Sequence, residues 1–174
     1  GAGGSMMAVA LTLLDLGASD RDMWLYDTYE GMPPPTQADV SILGKPATRK
    51  YERKMRTGDG AWHRYALDLV QANLAATGYP ADRLHFVKGL VQDTLPGNTI
   101  GPIAMLRLDT NLYESTCAEM EHLFPLLVPG GVFIVDDYNK WLGQRRAVDE
   151  YFERHGVRML LNRIDDHAVQ GVRP

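Results

Sequence analysis

Three carboxylates occupy places from which they could act together. Asp109 ends the apolar run Ile103–Asp109 (IAMLRLD), and Asp136 followed by Asp137 ends the run Val132–Asp136 (VFIVD). In an open parallel sheet, ligands gather at the carboxyl ends of the strands. Neighbouring strands lie about 4.8 Å apart, so acids that end adjacent strands can share one small cation. Unpaired, the same carboxylates would repel and raise each other's pKa values. The donors are hard oxygens, with no thiolate partner and no HxxxH spacing nearby, which favours magnesium, then manganese or calcium, over zinc. Taken singly, each Asp is better read as the cap of a helix or turn. It is the repetition at strand ends that points to a metal.

A further acid, Asp27, ends the run Met23–Asp27 (MWLYD). An acid in that place binds ribose hydroxyls in dinucleotide- and adenosine-binding folds, although spacing alone signals this weakly. Gly89, after Leu84–Lys88 (LHFVK), permits either a close backbone approach to a ligand or a tight turn. The five histidines are scattered, and only His167, beside Asp165 and Asp166, has a neighbourhood resembling a site. Cys117 reads as a core thiol. Trp141, just past the acid pair, could line a pocket.

These residues need a frame, and the hydrophobic pattern supplies one. Met6–Leu16 predicts a buried helix with Ser5 as its N-cap and Gly17 as its stop. Met23–Asp27, Leu84–Lys88, Ile103–Asp109 and Val132–Asp136 predict four inner strands, with Pro129-Gly130-Gly131 as a turn before the last. Helices are predicted over Trp62–Thr77, Glu114–Leu127 and Gln144–His155, the last stopped by Gly156. Val157–Ile164 and Ala168–Arg173 predict a closing antiparallel pair. Alternation of strands and helices argues for an α/β fold with a doubly wound, mostly parallel sheet. The stretch from Pro33 to Gly60 is polar and poorly periodic, the pattern of a long excursion that could serve as a lid.

Composition narrows the partners. The 174 residues suffice for one domain with a real core. With 18 Lys and Arg against 22 Asp and Glu and no basic run, nucleic acid is not expected as a partner. A single cysteine excludes an intramolecular disulfide and fits a reducing cytoplasm. The apolar stretch Met6–Leu16 is too short to span a bilayer and is interrupted by Asp15, so no membrane association is expected.

The run Arg107-Leu-Asp109-Thr-Asn-Leu-Tyr113-Glu-Ser-Thr116, followed by Gly130-Gly131-Val-Phe-Ile-Val-Asp136-Asp137-Tyr138, closely resembles the macrocin O-methyltransferase family. Further matches are Gly3-Gly4-Ser5, Asp27-Thr-Tyr-Glu-Gly31-Met-Pro33-Pro34, Phe86-Val-Lys-Gly89 with Asp93-Thr-Leu-Pro96, and Gly171-Val-Arg173. The resemblance runs in the family's order over nearly the whole chain. It implies a class I methyltransferase (Rossmann-like) fold, S-adenosylmethionine as methyl donor and Mg2+ as metal. The implied acceptor is a small molecule carrying a sugar hydroxyl, a glycoside or saccharide of an antibiotic-type pathway, and the implied state is a homo-oligomer.

Carried over by position, the resemblance makes Asp109, Asp136 and Asp137 metal ligands. Asp27, with Thr28 and Tyr29, would hold the donor's ribose, Gly4 and Ser5 would belong to the donor-binding loop, and Gly89 and Val91 would flank the adenine. Some members place a histidine three residues after the first metal aspartate as a base. Here that residue is Leu112, which leaves Asp109 as the candidate base. Members also begin with a further strand and an acid-containing glycine loop, of which only the tail has a counterpart here; a single methyltransferase domain lacking that strand is therefore expected, with unpaired edges in mid-sheet. Two other readings are a same-fold O-methyltransferase acting on a catechol or phenol, and a non-enzymatic relative acting as a binding partner.

Overall fold

The computed structural model describes residues 2–57 and 64–174. Within it the chain forms two compact units, one of residues 1–32 and 54–90, the other of residues 33–53 and 91–174.

In the first unit, alternation of buried and half-exposed residues turns Met23–Asp27 into β1, whose Met23 and Leu25 face the core. It pairs in parallel with β2 (Leu84–Lys88), from Met23 opposite Leu84 to Asp27 opposite Lys88. Helices α1 (Gly4–Asp15) and α3 (Leu67–Ala75) pack on that side through Ala10, Val70 and Leu74. Ser5 lies inside the first turn of α1. The N-cap is Gly3, whose φ of 82° suits a residue without Cβ. Of the helix predicted over Trp62–Thr77, Trp62 and His63 lie outside the described residues, and the remainder forms the shorter α3.

In the second unit the sheet order is β3 (Ile103–Leu108), β4 (Leu127–Val135), β6 (Val169–Val172), β5 (Asn162–Arg163). β3 and β4 are parallel; β6 runs antiparallel to β4 and to β5, so the closing pair read from the sequence forms, but its first strand shrinks from Val157–Ile164 to Asn162–Arg163. Pro129-Gly130-Gly131 stays within β4 rather than forming a turn before it. A register shift between Ile103 and Met105, with Gly130 at φ 79°, absorbs the irregularity. Backbone bonds between Gly130–Gly131 and Arg173 continue the ladder.

Leu106, Leu108, Phe133 and Val135 form the buried face of that sheet, beneath α5 (Tyr113–His122) and α6 (Leu142–His155). α5 stops short of the predicted Leu127, because Phe124–Leu126 tightens into a 3-10 turn around Pro125. Gly156 ends α6 with φ 64°. The excursion from Pro33 is partly structured. It contains the buried Asp39, bridges from Val40 to Pro46 and from Ser41 to Trp141, and the start of α2 (Ala47–Arg56). A short helix α4 (Val91–Thr94) packs on α5. Among the described residues β1 pairs only with β2, and β3 only with β4, so each has one edge without a neighbour.

Phe133 is fully buried, edge-on to Phe124 at 5.2 Å and tilted against Phe152 at 6.0 Å. Phe133→Ala is expected to destabilise the protein by about 3–5 kcal/mol. Urea denaturation checks this; a loss below about 1 kcal/mol would mean that the aromatic cluster is not central to the core.

Candidate functional site

The parallel register of β3 and β4 sets Leu108 opposite Val135, so the residues that follow, Asp109 and Asp136, emerge side by side. The Asp136 N–H donates to the Leu108 carbonyl at 3.0 Å and fixes the two strand ends. Side chains alternate along a strand, so Arg107 shares the face of Asp109, opposite to Leu106 and Leu108. Its guanidinium bridges the acids, with one nitrogen 3.0 Å from Asp109 Oδ2 and 2.7 Å from Asp136 Oδ1.

Asp137 takes a different direction. Its carboxylate is largely buried and ion-paired with Lys140 Nζ at 3.1 Å. Its N–H donates to Gln144 Oε1 at 3.2 Å, and its carbonyl accepts from Lys140 and Trp141 in the turn that starts α6. The three aspartates read as metal ligands are therefore not gathered at one point. Among the described residues no three acidic, histidine or cysteine side chains form a metal-sized group. Asp109 and Asp136 nevertheless meet on a single positive charge, and magnesium commonly uses one or two carboxylates and retains waters. The donor chemistry of that pair fits such an ion.

Burial pushes the Asp109 carboxyl up, Arg107 opposes this, and hydrogen bonding with the like-charged Asp136 adds to the rise, leaving it at about 6. Behind it, Thr110 Oγ1 lies 2.8 Å from Oε2 of Glu119, a buried acid on α5 that desolvation raises to about 8. Asn111 follows in a left-handed conformation, φ 67°, buried, with its Oδ1 unpaired. The N-terminus of α5 is then capped from far away in sequence: Tyr113 N–H donates to Asp39 Oδ1 at 2.8 Å. The other Asp39 oxygen accepts from Thr36 N–H at 2.7 Å and from its hydroxyl at 3.1 Å. Leu142 N–H donates to the Val40 carbonyl, and Ile42 N–H to that of Lys140. This part of the excursion is thus strapped to the loops that carry the acids. Val91 is buried at the start of α4.

In the first unit, Asp27 is exposed at the end of β1. Its Oδ1 accepts from Tyr29 N–H at 2.8 Å and, more weakly, from the Thr28 hydroxyl at 3.4 Å. This turn holds Tyr29 at φ 55° with its buried hydroxyl donating to the Leu25 carbonyl. Burial, reinforced by the Asp27 charge, raises the Tyr29 phenol well above its ordinary value. Gly89, at φ 148°, donates its N–H to the Asp27 carbonyl at 3.1 Å. The structure thus brings Asp27, Thr28, Tyr29 and Gly89 to one end of the β1–β2 pair. Gly4 and Ser5 form the exposed first turn of α1. His167 is exposed in a turn closed by Asp165.

Arg107, Asp39, Asn111 and Glu119 were not singled out from the sequence. Arg107 had a usable signal, since it lies two residues before Asp109 and so on the same strand face. Asp39 had none, because its partner Tyr113 is 74 residues away.

The family model described as Macrocin-O-methyltransferase (TylF) matches residues 2–171. The chain belongs to the macrocin O-methyltransferase family. A tetracenomycin-type relative from Streptomyces olivaceus, 8-demethyl-8-(2,3-dimethoxy-alpha-L-rhamnosyl)-tetracenomycin-C 4'-O-methyltransferase, is 35% identical over 96% of this chain and 60% of its own length. Mycinamicin III 3''-O-methyltransferase from Micromonospora griseorubida is 31% identical over 86% of this chain and 56% of its own. The solved structure of the O-methyltransferase NovP superposes with a TM-score of 0.83 at 29% identity, over 99% of this chain and 68% of that one. The fold is that of class I methyltransferases. This macrocin O-methyltransferase family chain spans less than two thirds of the length of those two curated relatives.

Glu119 allows a test of the buried acid layer. Its pKa is raised from 4.5 to about 8 on folding, so between those values the native state holds a proton that the unfolded state has lost. Glu119's contribution to stability is then fully present below about pH 4.5 and is lost as pH rises toward 8. Glu119→Gln keeps a partner for Thr110 and removes the ionisation. Its stability relative to the parent should therefore climb steadily from pH 5 to pH 8, read from urea midpoints on the order of every half unit. Parallel pH profiles for the two proteins would refute this.

Proposed function

We propose that this chain is the methyltransferase portion of an S-adenosylmethionine-dependent O-methyltransferase whose acceptor is a sugar hydroxyl of a glycosylated natural product. The observation that carries the reading is the Asp109–Arg107–Asp136 arrangement at the ends of β3 and β4, in a chain of this family. Names of the curated relatives, such as the rhamnosyl-tetracenomycin and mycinamicin methyltransferases, support a glycoside acceptor.

S-adenosylmethionine, when bound, supplies an electrophilic methyl group, and a divalent ion such as magnesium supplies positive charge that makes a hydroxyl easier to ionise. Asp109 and Asp136 are the residues that would hold such an ion, with Asp137 adjacent in the chain. Asp109 suits the role of base. Leu112 stands where some members of the family carry a histidine as base, which leaves the strand-end carboxylate of Asp109 for that role. In the first unit, Asp27 is the residue for the donor's ribose, because it projects one carboxylate edge outward while Tyr29 and Thr28 hold the other. Gly89 offers backbone without a side chain beside it. The excursion from Pro33 serves as a cover for the acceptor, pinned through Asp39 to α5.

Two substitutions test the two roles separately. Asp136→Asn is expected to remove magnesium-stimulated methyl transfer, lowering kcat by at least about a hundredfold, with the circular dichroism spectrum unchanged. Full activity of that variant in excess chelator would end the metal reading. Asp27→Ala is expected to weaken S-adenosylmethionine binding by about ten- to a hundredfold in calorimetry, the loss of one charged hydrogen-bonding pair. Unchanged affinity would remove Asp27 from the donor site. A screen of radiolabelled methyl transfer onto glycosides and catechols identifies the acceptor class.

A further inference from the structure

We infer that Arg107 is an internal competitor for the divalent ion, a built-in cation that occupies the Asp109–Asp136 pair until an ion displaces it. The inference rests on the proposed two-carboxylate ion site and adds to it the residue that sets how tightly the ion binds.

Geometry supplies the first reason. A single guanidinium nitrogen touches both acids, at 3.0 and 2.7 Å. An ion ligated by Asp109 Oδ2 and Asp136 Oδ1 would need the volume that this nitrogen fills. The guanidinium and a divalent ion drawn to the same two oxygens would also repel each other. On those two oxygens they compete for one place.

Charge supplies the second. Asp109 and Asp136 share the Arg107 guanidinium, and Asp137 pairs with Lys140. Without an ion, Arg107 is the cation in direct contact with the Asp109–Asp136 pair. Removing Arg107 leaves two adjacent carboxylates at paired strand ends without the cation that bridges them, which destabilises the ion-free protein and favours an added cation.

The third is that Lys140 pairs with Asp137 within its own turn, three residues on. The ion must dislodge one arginine and need not disturb that turn.

The test is manganese uptake, measured by the loss of the free-ion electron paramagnetic resonance signal, which needs no turnover. Parent, Arg107→Met, Arg107→Gln and Asp136→Asn chains are compared, each with its ion-free melting temperature. Arg107→Met and Arg107→Gln are expected to bind manganese at least about tenfold more tightly than the parent, a tenfold change being about 1.4 kcal/mol. Both should melt lower without the ion and recover when it is added. Should the methionine variant fail to fold, the glutamine variant decides alone.

Equal or weaker uptake by the arginine variants, with the parent binding manganese and Asp136→Asn not, would overturn this inference alone. Arg107 would then orient the acids rather than compete for them. Absence of uptake by the parent and by both arginine variants would remove the ion site itself, and the competitor role with it.

Discussion

The parallel register between β3 and β4 is the constraint on which the acid site depends. It places Leu108 opposite Val135 and so delivers Asp109 and Asp136 together at the strand ends. Everything that keeps the register also keeps the acids in place. The Leu106, Leu108, Phe133 and Val135 face is dry and packed, and slipping by one residue would turn those side chains to the open face. The like charges that result are tolerated because Arg107, on the same face, bridges both with one positive charge. A core requirement and an electrostatic one are met by the alternation of a single strand.

Much of this was legible in the sequence because it is written in short-range pattern. Met23–Asp27 and Leu84–Lys88 are the observed β1 and β2 without adjustment, since each is a run of strand formers bounded by turn residues. Asp109, Asp136 and Asp27 were found as strand-end acids by the same logic. The misreadings came from longer-range effects. Pro129-Gly130-Gly131 has turn composition, yet backbone bonds with Arg173 hold it in the ladder. Ser5 is a good capping residue by type, but Gly3 already supplies the left-handed backbone that starts α1.

The grouping of the acids was harder to foresee than their placement. Residues 136 and 137 are adjacent, but successive side chains diverge as β4 gives way to the turn before α6. Lys140 and Gln144 then claim Asp137 from within that turn. A pattern of three acids thus resolves into a pair with one counter-ion and a third acid with its own. Similarly, one polar residue of the segment after Pro33, Asp39, is buried because it holds the Tyr113 N–H from far away in the sequence. Composition alone does not set that residue apart from its exposed polar neighbours.

The loop from Asp109 to Tyr113 shows how such distant contacts bear on chemistry. Asn111 adopts a left-handed φ and buries an unpaired Oδ1, a combination that costs on the order of 1–3 kcal/mol for the backbone alone. A short connection would relax from it if its ends were free. They are not: Leu112 N–H is held by the Thr110 carbonyl, Thr110 by Glu119, and Tyr113 N–H by Asp39. The strained residue sits between a strand fixed by register and a helix capped by the excursion. The segment after Pro33 is thereby joined to the Asp109 loop through the backbone of α5's first residue, Tyr113, which Asp39 holds.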